Sequence, residues 1–170
     1  METIIKSVTI FDPNGPYDGT TKDVHVRDGV IVDIQDAISP SPEANEWSKP
    51  GAYLSIGWMD LQADFADPGF EQKEGLANGL RAARAGGFTH VVLNVNQDPV
   101  PDTKSNIAYL IARSTGLDAH LLPMGTVSKG RNGKQLSEMR DLANAGAVAF
   151  SDDSPLNSVE LLRRALEYAH

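Results

Sequence analysis

The chain has 170 residues, 41% of them apolar, enough for one domain, or one domain with a small lobe, around a real core. Its 15 Lys and Arg against 23 Asp and Glu give a net charge of −8 with no block of like charges. That balance argues against nucleic acid or an anionic membrane as partner, and the absence of cysteine excludes disulfides and thiolate metal sites.

The opening METIIKSVTIF is strand-like, without the apolar core of an export signal. No apolar run approaches the ~20 residues of a membrane span. A soluble, cytoplasmic protein is the expectation. Residues 1–56 read as β structure. IIKSVTIF is rich in β-branched residues, and DPNGPYDGTT is a turn-forming stretch. KDVHVRDGVIVDI holds two alternating runs around Asp28-Gly29, a hairpin signal, because both central residues of a type I′ turn need positive φ. SPSPEANEWSKPGAY is a Pro/Ser-rich connector.

From Leu54 the rhythm changes. The strand-like runs SIGWMDL (55–61), THVVLNV (89–95), AHLLPMG (119–125) and AVAFSD (147–152) alternate with helical patterns over 74–86, 103–116, 133–146 and 158–170. Leu76, Leu80 and Ala83 share one helical face, as do Ile107, Leu110 and Ile111, and Gly86, Gly116 and Gly146 supply helix ends. The spacing of about 30 residues between strand starts is one βα unit. The expected fold is therefore α/β: a β segment over 1–56, then four βα units over 57–170 with a parallel sheet. A full (β/α)8 barrel needs ~250 residues, so these units would make half of one, or else a doubly wound sheet. No GxxxxGK[ST] or GxGxxG phosphate motif is present, and GRNGK (130–134) reads as a solvated turn.

In parallel α/β folds, chemistry gathers at the carboxyl ends of the strands. Here those ends carry Gln62, Asp64, Ala66 and Asp67; Asn94, Asn96, Gln97 and Asp98; Thr126, Ser128 and Lys129; and Ser151, Asp152 and Asp153. Polar strand ends also arise simply because they meet solvent, and the Asp152-Asp153 pair could cap the next helix.

The blocks PGFEQKE, AARAGGFT, NQDPVPDT and EMRDLANAGAVAFSDD, in this order and spacing, resemble dihydroorotase of the amidohydrolase superfamily. The resemblance runs from the opening β segment to LLRRALEYA. It implies a (β/α)8 barrel beside a small β-sandwich, of which this chain holds the N-terminal share and the first four βα units. It also implies an Asp-x-His-x-His-x-Arg signature after the first strand, with both histidines on zinc and the arginine on the substrate carboxylate. This chain reads Asp60, Leu61, Gln62, Ala63, Asp64, Phe65, Ala66 there. Gln62 and Asp64 stand at the histidine positions and Ala66 at the arginine position. By the same resemblance Asn96 matches a substrate-binding asparagine, and one of Asp152 and Asp153 matches a metal-bridging carboxylate.

These departures change the expected chemistry. An amide oxygen and carboxylates suit hard ions better than zinc. Without a tightly held cation, little brings the pKa of bound water from 15.7 towards ~7. Alanine cannot replace a bidentate guanidinium contact. His25, His90, His120 and His170 lie away from the strand ends in question. The expectation is a degenerate metal site at Gln62, Asp64, Asp152 and Asp153, no cofactor, no assignable catalytic residue, and a protein of pyrimidine biosynthesis without dihydroorotase activity. The resemblance implies a structural role beside aspartate carbamoyltransferase; a homo-oligomer is also expected. The alternative is an active amidohydrolase that closes or hydrolyses a cyclic amide with zinc or an altered metal set.

Overall fold

The computed structural model describes residues 1–169, which fall into two compact units, Met1–Ile56 and a second from Gly57 onward. His170 lies outside the described residues. Among the described residues no helix is long and apolar enough to cross a membrane.

The first unit is one five-stranded mixed sheet. Its strands are β1 (Glu2–Phe11), β2 (Thr21–Arg27), β3 (Val30–Gln35), β4 (Asn45–Ser48) and β5 (Tyr53–Ser55). The order is β3-β2-β1-β4, with β5 also beside β1; β1 runs antiparallel to β2 and parallel to β4 and β5. Asp28 (φ 51°) and Gly29 (φ 81°) both take the left-handed conformation the hairpin sequence predicts. Val8, Ile10 and Val24 form the small core. A bulge between Ile5 and Val8 interrupts β1, and Asp23 holds it. The buried Asp23 carboxylate accepts from Ser7 N (2.8 Å) and Ile38 N (2.9 Å) and pairs with Lys6, whose ammonium also reaches Ile38 O (2.9 Å).

The second unit alternates strand and helix: β6 (Trp58–Ala63), α1 (Leu76–Ala85), β7 (Phe88–Leu93), α2 (Lys104–Ser114), β8 (His120–Thr126), α3 (Met139–Asn144), β9 (Ala149–Ser151) and α4 (Val159–Ala169). The strands are parallel in the order β6-β7-β8-β9, so each βα unit adds one strand beside the last, as in a partial barrel. Alternate residues of β7 and β8 (Val91, Leu93, Leu121) pack with Leu76, Leu80 and Leu110 in one cluster, while Ile107, Leu142 and Ala147 form a second. The helical stripes read from sequence supply these contacts, except that Ile111 stays 37% exposed.

Two local expectations are corrected. The third helix begins at Met139, not near residue 133. Residues Lys129–Arg131 form a 3₁₀ turn, Leu136 makes a bridge with Ser128, and the Ser137 hydroxyl bonds to Thr126 O, so the segment before α3 is tied to β8. At the end of α1, Gly86 keeps a right-handed conformation and Gly87 (φ 87°) takes the left-handed one.

Candidate functional site

The loop after β6 is built by its carboxylates. Asp60 Oδ1 accepts from Gln62 N (3.1 Å), and Asp64 Oδ1 accepts from Ala66 N (3.1 Å), an Asx turn that starts the bend. The Gln62 and Asp64 residues are exposed, whereas Phe65, Ala66 and Asp67 are buried. Ala66 is 3% exposed with φ 54°. This position is packed inside the loop, so it is more than a clamp cut short at the surface. Asp67 Oδ2 accepts from Leu76 N (2.9 Å), filling one of the amide valences left open at the start of α1. The acid that anchors this helix is thus Asp67, nine residues upstream. Glu71 instead accepts from Gly69 N (3.0 Å), and that amide holds its carboxyl below the usual range.

The loop after β7 is stitched to the first. Asn94 N donates to Ala63 O (2.9 Å), and Asp98 N donates to Pro68 O (2.9 Å). The buried Gln97 amide donates to Asn94 O (2.6 Å) and, at 3.4 Å, to Asn96 Oδ1. Asn96 itself is half-buried. Two buried oxygens at this end, Gln97 Oε1 and Thr126 Oγ1, have no hydrogen-bond partner among the described residues, and such groups are satisfied by ordered water or a ligand.

The loops after β8 and β9 share one centre. Asp152 is 4% exposed; its Oδ1 accepts from Ser128 N (2.9 Å) and its Oδ2 from the Ser128 hydroxyl. Ser128 Oγ in turn accepts from Gly133 N (2.8 Å). Arg131 Nε donates to Asp152 O (3.0 Å), and its guanidinium stands 3.7 Å from the exposed Asp153 carboxylate. The GRNGK segment is therefore a buttress for the β9 end rather than a free solvated turn. Nor do the two aspartates cap α4, because Ser158 accepts from Leu161 N at that helix start.

A zinc site would need several anionic or imidazole donors aimed at one point. Among the described residues no group of three or more His, Asp or Glu is placed to hold a metal ion. Both Asp152 oxygens accept from Ser128, Asp153 faces Arg131, and Gln62 offers only a neutral amide. Gln62 in particular is a weaker zinc donor than an imidazole would be. His25 sits in β2 against Glu2 (2.6 Å), while His90 and His120 occupy registered positions on β7 and β8 with ring centroids 5.0 Å apart.

The sequence profile of the dihydro-orotase-like family matches residues 51–164, about two thirds of the chain. The chain belongs to the dihydro-orotase-like family. Dihydroorotases of Trichlorobacter lovleyi and Geobacter sulfurreducens are 38% identical over 171 and 172 residues, 99% of this chain in each case. This dihydro-orotase-like chain spans 40% of the length of either relative. Among solved structures it is similar in fold to the L-hydantoinase (dihydropyrimidinase) of Arthrobacter aurescens, with TM-score 0.69 and 18% identity over 87% of this chain and 32% of that one. It is also similar to a dihydroorotase, with TM-score 0.66 and 14% identity over 99% of this chain and 48% of that one.

Proposed function

We propose that this chain is a dihydro-orotase-like protein of cytoplasmic pyrimidine biosynthesis that does not perform zinc-dependent ring closure. In this reading it acts as a structural partner, with aspartate carbamoyltransferase as the partner the family resemblance suggests. The observation that carries the reading is the state of the donors. Both Asp152 oxygens accept hydrogen bonds from Ser128, and Gln62 and Asp64 stand where the family resemblance places histidines. A scaffold role needs the fold and an interface, neither of which depends on a metal-bound hydroxide. Asn96 offers an amide for ligand contact, being half-buried and only weakly engaged by Gln97.

The test has two parts. Zinc in the purified protein, read by elemental analysis, is expected well below one ion per chain, with no cyclisation of carbamoyl-aspartate when metal is added. Comigration with an aspartate carbamoyltransferase catalytic subunit on gel filtration is the expected positive result. Stoichiometric zinc together with turnover overturns the proposal.

A further inference from the structure

A cavity of about 390 Å³ lies between α2 and the loops that follow β6 and β7, lined by Pro68, Pro99, Ser105, Asn106, Tyr109 and Leu110. That size falls in the ~300–1,000 Å³ range of small-molecule sites. All six residues belong to the stretch 68–110, and contacts within that stretch build the walls. Leu110, 2% exposed, is part of the main core and makes a fixed base. Pro68 and Pro99 sit on loops that touch: Asp98 N donates to Pro68 O (2.9 Å), and a Cβ on Gly69 would meet Asp98 O at 2.6 Å. Asn106 Nδ2 donates to Val100 O (2.7 Å), which holds the amide and leaves its Oδ1 to accept. The Ser105 hydroxyl is paired with that of Thr103 (3.0 Å), and Tyr109 is 48% exposed.

We propose that this cavity binds an uncharged, planar, two-ring aromatic molecule with one N–H donor, and that the occupant steadies the strand-end loops. The lining selects that class. Two pyrrolidine rings, a phenol ring and a leucine side chain offer apolar surface on which an aromatic ring packs. None of the six residues is charged, so a charged ligand would lose its hydration with no ion pair in return. The fixed Asn106 Oδ1 is an acceptor, so the polar edge of the ligand must donate. A cavity of about 150 Å³ already holds benzene, so 390 Å³ leaves room for a second ring. Pro68 lies four residues after Asp64, and Pro99 three after Asn96. A ligand against both prolines therefore bears on both strand-end loops at once, and its role is regulatory. The inference stands apart from the reading as a non-catalytic partner, because binding is measured without zinc, turnover or a second protein.

Indole is the test ligand, with N-methylindole as the same shape lacking the donor. In amide NMR spectra of the 170-residue chain, indole should give saturating shifts at Asn106 and Tyr109 with a Kd of about 1 mM or tighter, and N-methylindole should bind about fivefold more weakly. The Asp64 and Asn96 amides should move along the same binding curve. Ser105→Trp, which fills the cavity from an exposed position, should abolish the response with far-UV circular dichroism retained. Tyr109→Ala, which removes one wall, should weaken binding at least fivefold. Shifts that grow linearly to about ten times that Kd, equal binding of the two indoles, or undiminished binding by both variants overturn the site. Saturating shifts at Asn106 and Tyr109 with Asp64 and Asn96 unmoved overturn the coupling to the loops.

Discussion

Asp152 and Asp153 are neighbours in sequence and opposites in environment. Asp152 is buried and accepts two hydrogen bonds from Ser128, 24 residues away; Asp153 is exposed, with φ 51° and Arg131 at 3.7 Å. Removing the first leaves a buried amide and hydroxyl without an acceptor, a loss of about 3 kcal/mol. Removing the second breaks a solvent-screened pair worth at most ~1 kcal/mol. Asp152→Ala should therefore lower the urea midpoint clearly while Asp153→Ala barely moves it. Equal effects would mean that Asp152 is not the buttress described. Sequence alone does not tell which of these two aspartates is buried, and the reason is physical: Ser128 and Arg131 find Asp152 through the sheet, and no spacing along the chain announces a contact between adjacent strands. The loop carboxylates were more legible, because Asx turns act over two residues, yet Asp67 escaped because its partner amide lies on the far side of a loop.

At the scale of elements, α1 shows how packing overrides propensity. Gly79 sits mid-helix, where alanine is favoured by about 1 kcal/mol. A Cβ there would meet the buried Phe65 ring at 2.3 Å. Overpacking of this kind costs about 1–3 kcal/mol, so it outweighs the propensity gain. Gly79→Ala should be destabilising, and in a Phe65→Ala background the same change should become neutral or stabilising. A double-mutant cycle in urea measures this coupling; additivity would show that Phe65 and Gly79 do not confront each other. The strand and helix alternation of this unit was readable because apolar periodicity reports burial directly. The start of α3 was not, since the stretch over 133–138 keeps a helical pattern while tertiary bonds from Ser128 and Ser137 hold it against β8.

For the molecule as a whole, every carboxylate whose pKa is clearly displaced among the described residues moves down: Glu2, Asp23, Asp28, Glu71 and Glu160. Glu2 falls to about 2, held by the Ser41 hydroxyl and then by Arg27, with His25 assisting. Burial alone would raise Asp23, but its bonds from Lys6, Ile38 and Ser7 more than offset that. A depressed folded pKa means that the unfolded chain binds more protons in between, so stability rises with pH across that window. The contribution is complete above the unfolded value, 4.5 for Glu2, and is lost as pH falls towards about 2. The sequence pI is about 4.9, so below pH 4.5 the chain gains net positive charge, and its self-repulsion acts in the same direction. That diffuse effect is screened beyond ~8 Å at 0.15 M salt, whereas the Glu2 contacts lie at 2.6–3.1 Å, so the drop that survives added salt reports the local linkage. The thermal midpoint should accordingly drop between pH 4.5 and 2, and Glu2→Gln should flatten the drop. A drop that added salt abolishes and that Glu2→Gln leaves unchanged would show that charge repulsion, and not these paired carboxylates, governs the acid limb.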